Sequence, residues 1–436
     1  MTIYGQVDAA YTSAKSDAPQ ITALSPNGPN PKVSGLFGAG LGSNFLGFMG
    51  TEDLGGGLKA NFKLEAQYNP DNGTGAGSNV NNQAVGGANV QFNEDATANT
   101  KQYGAARFMN AAPGARASLG GTQGLTFNRW AYVGLSSGTM GELRLGREYT
   151  PTFQAILGSD VLGANGAQNT LNMTLAIAGQ SANGVSVGTS ASNGISYTSP
   201  NFNGFGAKVQ MIKGENPSNG VADTLNIPKS GDGSSYHLYY NQGAISAGYA
   251  ALTVKGTAVK GYTNLATGEA YGSLPGDYKQ EAMYAKYNAG FALFTAGQVT
   301  EKLVSAGADS IKCNDATCST TATTAAVPGD MKNVNNIIGV SVPYGSWTFG
   351  TNYIKSTYSV SGVNKAKGTQ LGLQAKYALS KRTDLYANYA NVKNEQGSLV
   401  TATNGQNYYG LGNGAGRMVT AGASSTAYQF GIRHAF

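Results

Sequence analysis

The sequence predicts an all-β fold, a transmembrane antiparallel β-barrel of about 16 strands with short periplasmic turns and long extracellular loops. Three observations carry that reading. Charged residues make up only 12% of the 436, about half the fraction a soluble domain shows. Mean hydropathy is -0.24, and nowhere do about 18 apolar residues run together, so membrane helices are excluded. Short stretches alternate apolar and polar from end to end, the pattern of a wall with one face in lipid and the other in water. Abundant Gly (63) and Tyr (25) with scarce Pro (13) suit strands joined by tight turns. The chain, 1–436, reads as a single barrel domain.

The elements follow in order. A strand from about 2 to 14 precedes a loop holding Pro26, Pro29 and Pro31. Strands at 43–54 and 58–69 meet through the turn Asp53–Gly57, whose glycines supply positive φ. Within the second, Leu58, Ala60, Phe62, Leu64, Ala66 and Tyr68 form one face, and Lys59, Asn61, Lys63, Glu65 and Gln67 the other. A long polar stretch, 70–125, reads as an external loop. The next hairpin points Leu143 and Leu145 one way, Glu142 and Arg144 the other. After Arg147 the alternation stops, and 149–193 is rich in Gly, Ala, Asn and Thr. So long an insertion within a compact fold is usually functional, and this one is expected to fold into the barrel and narrow it.

Further strands read at 193–200, 204–214, 234–242, 243–254, 279–288, 291–301, 333–343, 346–358, 368–380, 383–394 and 425–436. Closure follows because lipid cannot satisfy an open sheet edge. The last strand sets Tyr428, Phe430, Ile432, His434 and Phe436 against Gln429, Gly431, Arg433 and Ala435. Tyrosine pairs near strand ends (Tyr239 and Tyr240, Tyr284 and Tyr287, Tyr386 and Tyr389) read as interfacial girdles; simple strand propensity is the competing explanation.

A net charge of +6 is too weak to imply a nucleic-acid partner, but it would matter if concentrated in a lumen. Cys313 and Cys318, the only cysteines, sit in CNDATC and read as a short-loop disulfide formed in an oxidising compartment. No His or further Cys lies nearby to complete a metal site, and no cofactor is expected. Enzyme readings fare poorly, because the only histidines are His237 and His434, and no P-loop occurs. A barrel hydrolase is the remote alternative. Met1 runs directly into a strand pattern without a charged-then-apolar leader, as expected for the mature form of an exported protein whose signal peptide is absent from this chain.

Six segments, TIYGQVDAAY (2–11), FLGFMGTEDLGGGLKANFKLE (45–65), NRWAYVGLSSGTMGELRLGREYTP (128–151), ISYTSPNFNGF (195–205), LSKRTDLYANYA (379–390) and GIRHAF (431–436), recur in a telling order and spacing. Over its whole length the chain resembles the general porins of Gram-negative outer membranes, particularly the β-proteobacterial branch. The resemblance implies a homotrimer of sixteen-stranded barrels among outer-membrane lipid and lipopolysaccharide, with 149–193 as the inward constriction loop. It also implies a terminal aromatic, Phe436, read by the assembly machinery, and a second loop, here the unusually long 70–125, latching a neighbouring protomer.

In the family the arginine of the LGR motif faces the lumen, whereas alternation puts Arg147 beside Leu143 and Leu145 on the lipid face. A kink near Gly146 would reconcile the two. Well-known members also carry an acidic cluster on the inward loop; here that loop holds only Asp160, with Glu148 at its root. The candidate pore-lining residues are Lys59, Lys63, Arg144, Arg147, Asp160 and Arg433. Against them stands the plainer reading of wall charges paired with Glu65, Glu142 or Asp8, and of Asp160 as an acid that only orders its loop. A basic throat poorly compensated by acids would concentrate anions, because the low-dielectric wall focuses its field. The expected function is passive diffusion of small anionic or neutral hydrophilic solutes with moderate anion preference. A porin specific for one anionic metabolite is the alternative.

Overall fold

Lipid forces backbone edges to find partners, and in the computed structural model the strands close into one antiparallel sheet whose first and last strands pair. The structure describes residues 1–16, 32–70, 73, 75, 127–175, 186–214, 231–259, 274–305, 330–360, 366–395 and 424–436. Strand β1 (Thr2–Ser16) pairs with the last strand, β17 (Ser424–Ala435), from Gln6–Ala435 to Ser16–Ser425. Its other edge meets two segments in turn: β2 (Lys32–Gly38) along its outer half and β3 (Phe45–Gly55) along its inner half. These two share one stave, so the seventeen strands of the sheet make sixteen staves.

Around the barrel follow β4 (Leu58–Gln67), β5 (Trp130–Ser137), β6 (Gly141–Tyr149), β7 (Ser190–Thr198), β8 (Phe205–Ile212) and β9 (Gly233–Gln242). Then come β10 (Ile245–Val259), β11 (Leu274–Asn288), β12 (Leu293–Ser305), β13 (Met331–Tyr344), β14 (Trp347–Val360), β15 (Ala366–Ala378) and β16 (Thr383–Asn394). Each is antiparallel to the next. Tight turns with positive-φ glycines, such as Gly243, Gly290 and Gly345, close the periplasmic end. There Gly5 and Phe436 exchange backbone hydrogen bonds of 3.1 and 3.0 Å, tying the C-terminus to the first strand.

Alternation separates two environments. Val133, Leu145, Ile195, Met211 and Ile338 are exposed on the outside, where lipid covers them. Gln210, Gln280, Asn335 and Gln370 are buried inside. Of each tyrosine pair only one member takes the outer face that an interfacial girdle requires. Tyr239, Tyr284 and Tyr386 share their registers with lumenal His237-side, Ala282-side and Asp384-side neighbours, and Tyr386 donates to the buried Asp8 carboxylate. Tyr240, Tyr287 and Tyr389 take the opposite face. Strand β2 was not legible as a strand, and the cysteine pair Cys313–Cys318 and nearly all of the 70–125 loop lie outside the described residues.

The insertion after β6 folds inward, and it begins with a helix that the loss of alternation concealed. Thr150 caps it by accepting from the Phe153 N–H at 3.1 Å, and Pro151 stands in the first turn of the Pro151–Ser159 helix. Phe153, Ala155 and Ile156 are buried against the inner wall of β9–β12. Glycine in the wall permits this close approach: a Cβ at Gly297 would lie 2.4 Å from that of Ser159. The segment then crosses to the other side, where the Gly166 N–H donates to Ala39 O (2.7 Å) and Ala167 N–H to Gln429 Oε1 (2.7 Å). Ala39 belongs to the break between β2 and β3, so the interrupted stave receives the far end of the insertion. On the return, Asn172 reaches Gln370 (3.0 Å) and Asn333 reaches Met173 O (2.8 Å).

Candidate functional site

Beside the inward segment, β4–β9 present a continuous charged wall. Cross-strand partners share a face, and the register runs Lys63–Tyr132, Gly134–Arg144, Arg144–Ser196, Thr198–Lys208 and Lys208–His237. Three carboxylates organise the cations. Glu65 binds Lys63 at 2.8 Å and Arg129 at 3.0 Å, and accepts from the Tyr4 hydroxyl at 2.7 Å. Glu148 binds Lys208 at 2.8 Å and Arg144 at 3.1 Å, and accepts from the Ser196 hydroxyl. Glu142 takes the other side of the Arg144 guanidinium at 2.6 Å. Aromatic rings hold the same cations flat to the wall: Lys63 Nζ is 4.4 Å from the Trp130 ring and the Arg144 guanidinium 4.6 Å from that of Tyr132.

Depth decides what a passing ion meets. The side chains of Lys63, Arg129 and Arg144 are 25%, 15% and 21% exposed, whereas Glu65 and Glu148 are 3% and 2% exposed. Glu65 and Glu148 thus lie behind the cations in front of them, whereas Glu142 is 21% exposed, level with Arg144, and Lys208 is as deep as Glu148. Four cations (Lys63, Arg129, Arg144, Lys208) face three acids (Glu65, Glu142, Glu148), leaving one positive charge in surplus. Beside the helix, a recess of about 340 Å³ is lined by Arg144, Gln154, Lys208, His237, Tyr239 and Asn241, among others.

The remaining candidates scatter. Lys59 is exposed, directly across from Asp53 at the periplasmic turn and away from the Lys63–Arg144 group. Arg433 is paired with Asp384 across β16 and β17, outside this group. Gly146, with φ of 132°, does break the regularity of β6, and the β6–β7 register slips between Gly146 and Glu148. Arg147 nonetheless remains in register with Ala131, and its guanidinium donates to Asn128 O (2.5 Å) and Ser192 Oγ (2.7 Å). Asp160 is 5% exposed. It accepts from the N–H groups of Leu162 (2.7 Å) and Ala164 (2.9 Å), the Thr170 hydroxyl (2.6 Å) and the Asn352 amide (3.3 Å), so it orders the inward segment.

The expectation of a poorly compensated basic wall needs correction. The inward segment does hold only one acid, the buried Asp160, but the wall supplies its own in Glu65, Glu142, Glu148 and Asp384. The bias instead comes from burial of Glu65 and Glu148 and from a small surplus of cations. Sequence reasoning missed Arg129, which sits just before β5, and Lys208, whose inward direction follows from the alternation of β8. Among the described residues, no group of three or more His, Cys, Asp or Glu side chains could hold a metal ion.

A closed barrel with an apolar outside, a polar lumen and an inserted segment pinned across it defines an outer-membrane channel. The chain belongs to the Gram-negative porin family, whose model matches residues 1–397, and it is a protein of the outer membrane. It is 29% identical to outer membrane porin protein 32 of Delftia acidovorans, covering 100% of this chain and 94% of that one. Its structure resembles that of an anion-selective porin from Comamonas acidovorans, with a TM-score of 0.66 and 27% identity over 100% of this chain and 99% of the other. OmpT of Vibrio cholerae, solved in a trimer form, shares the fold at a TM-score of 0.56 and 11% identity, over 100% and 98% of the two chains.

Proposed function

We propose that the chain forms a homotrimeric pore for passive diffusion of small hydrophilic solutes, with a moderate preference for anions, and that the inward segment narrows it. One observation carries the preference: three lumenal cations, Lys63, Arg129 and Arg144, reach the passage, whereas Glu65 and Glu148 are almost fully buried and only Glu142 among the three acids is as exposed as the cations. In a water-filled passage with low-dielectric walls, the exposed layer dominates the field that an ion feels. The solved relative described as anion-selective supports the same sign, and the trimer form of a structural neighbour supports the assembly.

The remaining roles follow this reading. Phe436 is the assembly signal, the 70–125 loop latches a neighbouring protomer, and lipopolysaccharide is the outer-leaflet partner. A planar-bilayer reversal potential in a salt gradient tests the preference. Anion preference that weakens as salt rises is expected; clear cation preference would overturn the proposal.

A further inference from the structure

The outer wall carries charge near the extracellular ends of its strands. On β11, Tyr278 and Gln280 are buried, so Lys279 between them takes the outward face. It stands directly across from Lys302 on β12, and Lys302 directly across from Lys332 on β13. Three like charges in cross-strand register oppose one another and disfavour the pairing. The next strands continue the strip with Lys355, Lys367 and Lys393, all exposed and of the same parity as outward Tyr353, Leu371 and Leu385.

Compensation on this strip is partial. Its acids are Asp277, Glu281, Asp330 and Glu395, four against six lysines. Glu281 lies 3.5 Å from Lys302 and Glu395 3.7 Å from Lys367, both pairs well exposed and therefore weak. Height matters as much as charge. From Lys332 to Tyr344, which is 75% exposed at the periplasmic end of β13, a strand tilted as barrel strands are rises roughly 30 Å. That places the row just beyond an apolar band of about 25 Å, at the level of the outer-leaflet headgroups. The three lysines span two inter-strand spacings, about 10 Å, too wide for a single phosphate to bridge.

We propose that this strip binds a headgroup carrying more than one phosphate, that of lipopolysaccharide, with its phosphates along Lys279, Lys302 and Lys332 and its acyl chains over Met283, Ile338 and Tyr353. The inference rests on the outer-leaflet partner named above and gives it a site. The test titrates the purified full-length protein with lipopolysaccharide, with enzymatically dephosphorylated lipopolysaccharide and with phosphatidylglycerol vesicles, and repeats the series on K279Q/K302Q/K332Q.

Lipopolysaccharide affinity should fall about a hundredfold in the variant, since each basic residue near an anionic lipid surface contributes about a fivefold factor. Single-channel conductance should not change, because these side chains face away from the lumen. If the triple variant does not fold, K302Q alone should still show about a fivefold loss. Equal lipopolysaccharide affinity of variant and parent would overturn the site while leaving the partner standing. Equal binding of the dephosphorylated form, or of phosphatidylglycerol, would overturn the assignment of the ligand. Failure of the parent protein to bind lipopolysaccharide would overturn both readings.

Discussion

Neutralising Arg144 probes the charge arrangement of the pore most directly. Its guanidinium bonds Glu142 at 2.6 Å and Glu148 at 3.1 Å, while Lys208 holds Glu148 at 2.8 Å. Arg144→Gln thus converts two cations facing two acids into a site with one uncompensated negative charge. An ion passing about 8 Å away feels roughly 0.5 kcal/mol from one unit charge in water. Salt at about 0.1 M screens away roughly half of that. Because the change has opposite signs for anions and cations, the anion-to-cation permeability ratio should fall by about two- to fivefold.

Reversal potentials of parent and variant in planar bilayers, at low and high salt, measure the effect directly. It should shrink as salt rises. The double variant E142Q/R144Q removes one charge of each sign and should recover most of the parental ratio. Folding should survive, because Glu148 keeps Lys208 and Ser196. An unchanged reversal potential for Arg144→Gln at low salt would refute the assignment of selectivity to this wall.

Three further outcomes are expected. Gly297→Val should press the end of the helix away from the wall, since even a Cβ there would lie 2.4 Å from Ser159 Cβ; overpacking costs about 1–3 kcal/mol, and both single-channel conductance and thermal stability should drop. Asp160→Ala strips acceptors from the Leu162 and Ala164 N–H groups and from Thr170, a loss of about 1–3 kcal/mol for the stranded donors; denaturant melting should register it, and open-channel current noise should rise. Deleting Phe436 removes the paired backbone bonds to Gly5, so refolding into detergent or vesicles should slow, which electrophoretic mobility with and without heating will show; unaltered kinetics would argue against an assembly role.

Much of the architecture was legible because a barrel wall is a one-dimensional code. Each of Lys59, Lys63 and Glu65 took the lumenal face that its parity indicates, and the hairpin turns fell at their glycines. Three features escaped. The Pro151–Ser159 helix is too short and too uniformly buried to show a polar stripe, although Thr150 followed by Pro151 is a legible start signal. Strand β2 is a short piece paired along one edge with β1, without the length that makes alternation persuasive. The inward turn of Tyr239, Tyr284 and Tyr386 was obscured because tyrosine suits an interface and a lumen equally well.

The sequence by itself determined the membrane barrel, the direction of most wall side chains and the location of the inserted segment, since period-two alternation and turn glycines are local properties. It also placed Lys63 and Arg144 on the lumenal face. Only the tertiary structure decided which charges meet. Glu65 is far in sequence from Arg129, and Glu148 from Lys208, yet closure of the barrel brings them to 3.0 and 2.8 Å. The same closure ranked their depths, setting Glu65 behind Lys63 and Arg129, and Glu148 behind Arg144. Depth and partner depend on strands separated by long loops, and no local pattern encodes them. The sign of the selectivity rests on that depth, so the alternation could identify the wall while the folded barrel had to supply its field.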